Sequence, residues 1–166
     1  QYAHGNEPSH HMAYLYSYVG EPWKTQEWTR RLLDEMYQPT PEGIIGNEDC
    51  GQMSAWYLLS SLGFYSVCPG SNQFILTTPL FDKATVKLGN GKILTITANQ
   101  PEKNKYITSV SLNGEEIKHC YITYDQLMQG GTLDFTLSAT PDKRWGTAPE
   151  YAPYSYTEQP TVSIPY

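Results

Sequence analysis

Two spacings of hydrophobic residues divide this chain near residue 81. Up to there apolar positions recur at three and four residues, the period of a helix, and beyond it they alternate, the period of a strand. In "NEPSHHMAYLYSYVG" the residues Met12, Leu15, Tyr16 and Val19 fall at helical steps, Asn6 stands where an N-cap is wanted, Pro8 suits a first turn and Gly20 ends the run. A second helix is predicted in "EPWKTQEWTRRLLDEMY", opened by Pro22, with Trp28, Leu32, Glu35 and Met36 marking its faces; the prolines of "QPTPEG" cannot continue it. The third, "GQMSAWYLLSSLG", is apolar nearly all round and stops at Gly63. Such a helix needs cover on every side, more than two neighbours give, so the helical half reads as the end of a larger helical domain.

From about Asp82 the grammar is that of an antiparallel β unit. "ATVKLGNGKILTITA" is a strand, an Asn-Gly turn and a strand, "KYITSVSLNGEEIKHCYIT" repeats the form around Asn113-Gly114, and "GGTLDFTLSA" adds one more strand. Between them "TYDQLMQGG" has room for one short helical turn. The Pro- and Tyr-rich end has no period and reads as an extended segment lying on something else. The expected class is α+β, with helices in 1–81, an antiparallel β segment in 82–140 and a tail in 141–166.

Composition narrows the function. The 166 residues carry a net charge of −6 and no Lys/Arg cluster, so nothing is present to neutralise a phosphate backbone and nucleic-acid binding is not expected. No stretch reaches the ~18 apolar residues of a membrane span. With no initiating Met and no signal-type apolar run, Gln1 reads as a processed or cut end. Cys50, Cys68 and Cys120 have no metal-like spacing; mostly buried free thiols are expected, with a Cys50–Cys68 bridge as the alternative in an oxidising compartment. The 14 Tyr and 4 Trp supply rings that either pack sheets and helices or line a polar-organic site such as one for carbohydrate.

Two polar clusters stand out. "GNEDCGQMSAWY" sets Asn47, Glu48 and Asp49 between Gly46 and Gly51 directly ahead of the third helix. Acids there ordinarily cap the helix and meet the positive end of its dipole. One cap needs one short acid, however, and three polar residues between glycines also suit a ligand site. In "HGNEPSHHMAY" the adjacent His10 and His11 point about 100° apart on a helix, and packed, hydrogen-bonded histidines are the plain reading. The HExxH spacing and a thiolate pair are both missing, so zinc is not expected; Asn6 and Glu7 offer oxygen ligands, which suit calcium.

The three stretches "GNEPSHHMAYLY", "PWKTQ" and "GNEDCGQMSAWYLLSSLGFYSVCPG", followed by "TTPLF" and a β-rich ending, resemble in order and spacing the C-terminal part of the calcium-dependent α-mannosidases of glycoside hydrolase family 92. The resemblance covers nearly the whole chain. It implies an exo-acting, inverting enzyme in which an N-terminal β-sandwich meets a C-terminal (α/α)6 barrel, this chain holding the last barrel helices and the closing β segment. It implies catalytic residues in the row Asn47, Glu48 and Asp49, with the general base on Asp49, and the calcium ligands on Asn6 and Glu7. His4, His10, Trp23 and Lys24 are the candidate contacts to a mannose-containing glycan, and a periplasmic or extracellular location is implied.

Two departures qualify it. Family members acting on α-1,2 linkages tend to carry a His-Glu pair before "NEP", where this chain has Tyr2-Ala3. The family's general acid lies upstream of the matching region, and a glycosidase needs both carboxyl groups. The isolated chain is therefore expected to need the N-terminal remainder of the enzyme as its partner. The rival reading is a noncatalytic carbohydrate-binding or scaffold module, which would have a closed polar surface instead of an apolar face awaiting missing helices. A related phosphorylase would need a phosphate site, and no basic pocket is visible.

Overall fold

Proline at the head of one helix and glycines at both ends of another set the two long helices where the sequence predicts them. In a computed structural model of the chain, which describes residues 2–155, helix α1 spans Pro22–Glu35; a ring with fixed φ and no N–H costs nothing in a first turn. Helix α2, Gln52–Leu62, lies between Gly51 at φ 87° and Gly63 at φ 99°.

The segment before α1 differs from the expected helix. It forms a 3-10 turn, Glu7–Ser9, and a 3-10 helix, Met12–Val19, closed by Gly20 at φ 74°. At three residues per turn Tyr14 and Ser17 share the inner face. Both are fully buried, whereas Met12, Leu15 and Val19 point outward at 41%, 43% and 70% exposure.

The buried face of α1 is largely polar, and bonds tie it to the β half. Gln26 Oε1 accepts the Ile107 N–H at 2.9 Å. The Arg30 guanidinium donates to the carbonyls of Pro101 at 2.8 Å and Pro79 at 2.7 Å, and the hydroxyls of Thr29 and Thr77 bond one another. Polar groups withdrawn from water need such partners.

Eight strands follow: β1 Phe64–Tyr65, β2 Gln73–Leu76, β3 Lys83–Lys87, β4 Ile93–Ala98, β5 Tyr106–Leu112, β6 Glu115–Glu116, β7 Tyr121–Thr123 and β8 Gly131–Ser138. They form one sheet in the order β1-β2-β7 and another in the order β3-β4-β8-β5-β6. The expected all-antiparallel unit is mixed, because β8 inserts between β4 and β5 and runs parallel to β4, with Leu94 beside Gly131. Strand period does not encode which distant strands become neighbours. Local pairing follows the turns: β3 and β4 close around Asn90-Gly91, and β5 and β6 around Asn113-Gly114, both left-handed at φ 53° and 85°. Helix α3, Tyr124–Leu127, is the short turn expected and carries a Thr123/Gln126 capping box.

The chain covers α2 more fully than the helix count suggests. Met53 and Trp56 are wholly buried, while Leu59 and Leu62 pack on the strand core that includes Leu76, Ile96, Ile122 and Phe135. Leu58, at 58%, faces outward. Beyond β8, Trp145 is buried and donates to the Ile117 carbonyl at 3.2 Å, and Cys120 N–H bonds Tyr151 O at 3.1 Å; the rest of the expected extended tail, 156–166, lies outside the described residues. Only Cys120 is the buried free thiol expected, with burial pushing it up to about 12; Cys50 and Cys68 are exposed and unbridged. Among the described residues no helix is long and apolar enough to cross a membrane.

Candidate active site

Two glycines bring the polar clusters together. Gly5 and Gly46 pack backbone to backbone: a Cβ on Gly46 would stand 2.7 Å from Gly5 O, and one on Gly5 would stand 3.1 Å from Ile45 O. Real Cβ atoms do not approach as closely as 2.7 Å, so position 46 needs a residue without a side chain, position 5 leaves little room for one, and the "NEP" segment comes to lie against the "NED" segment. After Glu48 the chain passes through three left-handed residues in a row, Asp49 at φ 49°, Cys50 at φ 59° and Gly51 at φ 87°, and then enters α2. Two of the three carry a Cβ, and each costs ~1–2 kcal/mol in that conformation, so the turn persists only where surrounding bonds hold it.

The Asp49 carboxyl ends within hydrogen-bonding reach of the Glu7 carboxyl, and that contact together with the repulsion between the two holds Asp49 above its usual range. Glu7 Oε1 is buried and has no hydrogen-bond partner. Asn6, next to it, is exposed and makes no capping bond with its side chain. A carboxyl oxygen withdrawn from water without a donor is an arrangement that a cation satisfies. Among the described residues no group of three His, Cys, Asp or Glu side chains is placed to hold a metal ion. The acids therefore make a partial, all-oxygen set.

Glu48 points the other way. Its Oε1 accepts the Ser54 N–H at 2.8 Å and its Oε2 the Ser54 hydroxyl at 2.6 Å. Those two bonds hold its carboxyl below the ordinary range. Asn47 is exposed beside it.

His4 and His10, on either side of the Asn6–Glu7 pair in sequence, are both buried. The Tyr37 hydroxyl donates to Met53 O at 3.1 Å, so it accepts from His4 Nε2 at 2.7 Å, and His4 Nδ1 accepts from the Tyr2 hydroxyl at 2.6 Å. His10 Nε2 donates to His4 O at 2.9 Å, which leaves Nδ1 to accept from Gln52 Nε2 at 3.2 Å. Every ring nitrogen of the two imidazoles is thus engaged; burial, then the proximity of His10, push His4 down to about 4. The Trp56 indole closes the layer, donating to His10 O at 3.1 Å and meeting the His4 ring edge-on with centroids 4.5 Å apart. Sequence reasoning missed Tyr2, Tyr37, Gln52 and Trp56 as parts of this layer; the Tyr-rich composition was their one signal. Trp23 and Lys24 stand elsewhere, at the head of α1. Lys24 bonds Glu21 at 2.7 Å and lies 5.2 Å above the Trp23 ring, which Lys143 also covers at 4.8 Å.

The sequence model of the glycosyl hydrolase family 92 catalytic domain matches residues 1–139. The chain belongs to glycosyl hydrolase family 92. Solved family 92 structures share its fold closely. An α-mannosidase of the family from Bacteroides thetaiotaomicron, in complex with mannoimidazole, superposes with a TM-score of 0.90 at 43% identity, over 93% of this chain and 20% of its own. An inverting mannosidase of family 92 from the same bacterium gives a TM-score of 0.87 at 44% identity, over 95% of this chain and 21% of its own. A protein of Arthroderma benhamiae described as an uncharacterized secreted glycosidase is 30% identical over 155 residues, covering 91% of this chain and 20% of that protein. This family 92 chain thus spans about a fifth of the length of the relatives it matches.

Proposed function

We propose that the chain is part of an inverting, calcium-dependent exo-α-mannosidase acting on mannose-containing glycans, to which it contributes Asp49 as general base and Asn6 and Glu7 as calcium ligands. The observation that carries this reading is the meeting of Glu7 and Asp49 over a strained turn, with one Glu7 oxygen buried and unpartnered. Residues 1–81 are read as the last helices of an (α/α)6 barrel, 82–140 as its closing β segment and 141–166 as a tail, although β2 pairs with β7 across the first boundary. The general acid, the other barrel helices and the β-sandwich belong to the rest of the protein.

Inversion needs one carboxylate to take a proton from water as that water attacks the anomeric carbon, and one carboxylic acid to protonate the leaving oxygen from the opposite side. The two stand ~6.5–9.5 Å apart so that a water fits between them and the sugar. Asp49 is exposed and free to meet such a water. Glu7 touches Asp49 and is too close to be its acid partner, which supports an acid from outside the chain. Asn6 and Glu7 present the oxygen donors that a hard cation takes; by the family resemblance, calcium held there grips the 2- and 3-hydroxyls of mannose. His4 and His10, the candidate glycan contacts beside the acids in sequence, are buried with their ring nitrogens engaged, and Trp23 and Lys24 offer a ring and an ammonium to a more distant part of the glycan. The secreted relative supports export to the periplasm or the extracellular space.

The outward Met12, Leu15, Val19 and Trp28 favour this reading over a self-contained binding module, whose surface would be closed and polar. The test is proton NMR of the complete enzyme on an aryl α-mannoside. Mannose should form first as the β anomer, a chelator should stop the reaction, and calcium should restore it better than zinc. A first-formed α anomer, or activity indifferent to chelation, contradicts the proposal.

A further inference from the structure

We infer that Glu48, although it sits between two candidate catalytic residues, is a positioning residue: clamped on Ser54, its carboxylate holds the Asp49–Gly51 turn and so aims the Asp49 carboxyl. The inference rests on the reading of Asp49 as general base. Both Glu48 oxygens are engaged by the one residue, Ser54, at 2.8 and 2.6 Å, which leaves neither turned to the Glu7–Asp49 pair. Ser54 is the third residue of α2, so the clamp spans the whole left-handed run from its near side to the first turn of the helix. The backbone bonds from Glu48 and Asp49 into the helix are long, Gln52 N–H to Asp49 O and Met53 N–H to Glu48 O both 3.3 Å, while Gly51 O, at the far end of the run, is held closely, by the Ala55 N–H at 2.9 Å. Gly51, at the N-cap, has no side chain with which to fasten the helix start. The Glu48–Ser54 pair is therefore the short fastening of a turn whose dihedrals two Cβ-bearing residues would otherwise leave. A shift of Asp49 by about an ångström is enough to cost a base its alignment with the attacking water.

The experiment uses the complete enzyme, with kcat and KM on an aryl α-mannoside and a melting curve for each variant. Glu48→Gln keeps both contacts, because its oxygen still accepts the Ser54 N–H and its amide can donate to the Ser54 hydroxyl; kcat within about threefold of wild type is expected. Glu48→Ala should lower kcat by ~10–100-fold with KM nearly unchanged, the signature of lost alignment without lost binding. Adding Ser54→Ala to it should cost little more, since the two act as one unit. If Glu48→Gln is as impaired as Glu48→Ala, the carboxylate has a charge or proton role and the positioning role is overturned. Wild-type kcat in Glu48→Ala with a lowered melting temperature would reduce Glu48 to a plain helix cap. Asp49→Asn in the same assay separates the premises: an active Asp49→Asn removes the base reading and this inference with it, whereas an inactive one beside a fully active Glu48→Ala removes the inference alone.

Discussion

Gly46 decides whether the two polar clusters meet. Its φ of 78° is disfavoured for any residue with a Cβ, and an added methyl would stand 2.7 Å from Gly5 O. Gly46→Ala should therefore separate Glu7 from Asp49, lowering kcat of the complete enzyme at least tenfold and stability by ~1–3 kcal/mol. Gly70→Ala, where the new Cβ meets nothing within 4 Å, is the control and should change neither. Equal activities for the two variants would mean that the contact is not needed. In the sequence, motif and local chemistry agree in pointing to Asp49, Glu7 and Asn6, whose roles are proposed here. The buried, hydrogen-bonded state expected of His10 is found, but the identity of the partners of His4 and His10 was not legible, since Tyr37, Gln52 and Tyr2 lie on three separate segments that only the fold brings together.

At the scale of elements, α1 shows how polar bonds can dock a helix. Period and composition predicted its span, but not that Thr25, Gln26, Thr29 and Arg30 would face inward. Arg30→Met replaces a buried guanidinium by an apolar chain of similar reach and strips the Pro79 and Pro101 carbonyls of their donor. A loss of ~2–4 kcal/mol is expected from urea unfolding; a change below ~0.5 kcal/mol, the ordinary scatter of surface substitutions, would show the bonds to be dispensable. The 3-10 helix Met12–Val19 escaped prediction because steps of three and four are hard to separate in an eight-residue stripe, and three of the four residues that marked the stripe, Met12, Leu15 and Val19, face away from the core while Ala13 and Tyr14 enter it. Hairpins were legible from Asn90-Gly91 and Asn113-Gly114, whereas the parallel β4–β8 pair joins segments more than thirty residues apart and has no local signature.

For the whole molecule the informative surface is the outward side of Met12–Val19 and α1, where Met12 and Trp28, with Tyr2, Tyr16 and Leu32, line an apolar groove of ≈ 180 Å³ and Leu15 and Val19 are also exposed. Apolar area of this kind forfeits ~25 cal/mol per Å2 while wet, so a few hundred Å2 compares with the margin that holds a domain. Residues 1–166 expressed alone should self-associate in sedimentation or bind the rest of the enzyme tightly, and should hydrolyse no mannoside. A monodisperse, cooperatively melting monomer would favour the binding module instead. The central claim, that this chain brings the base to a mannosidase, is tested most directly by kcat of Asp49→Asn in the complete enzyme. The account predicts a fall of ~10³-fold or more with KM nearly unchanged, since the amide keeps the shape of the carboxyl but cannot take the proton from water. Activity within tenfold of wild type would contradict it.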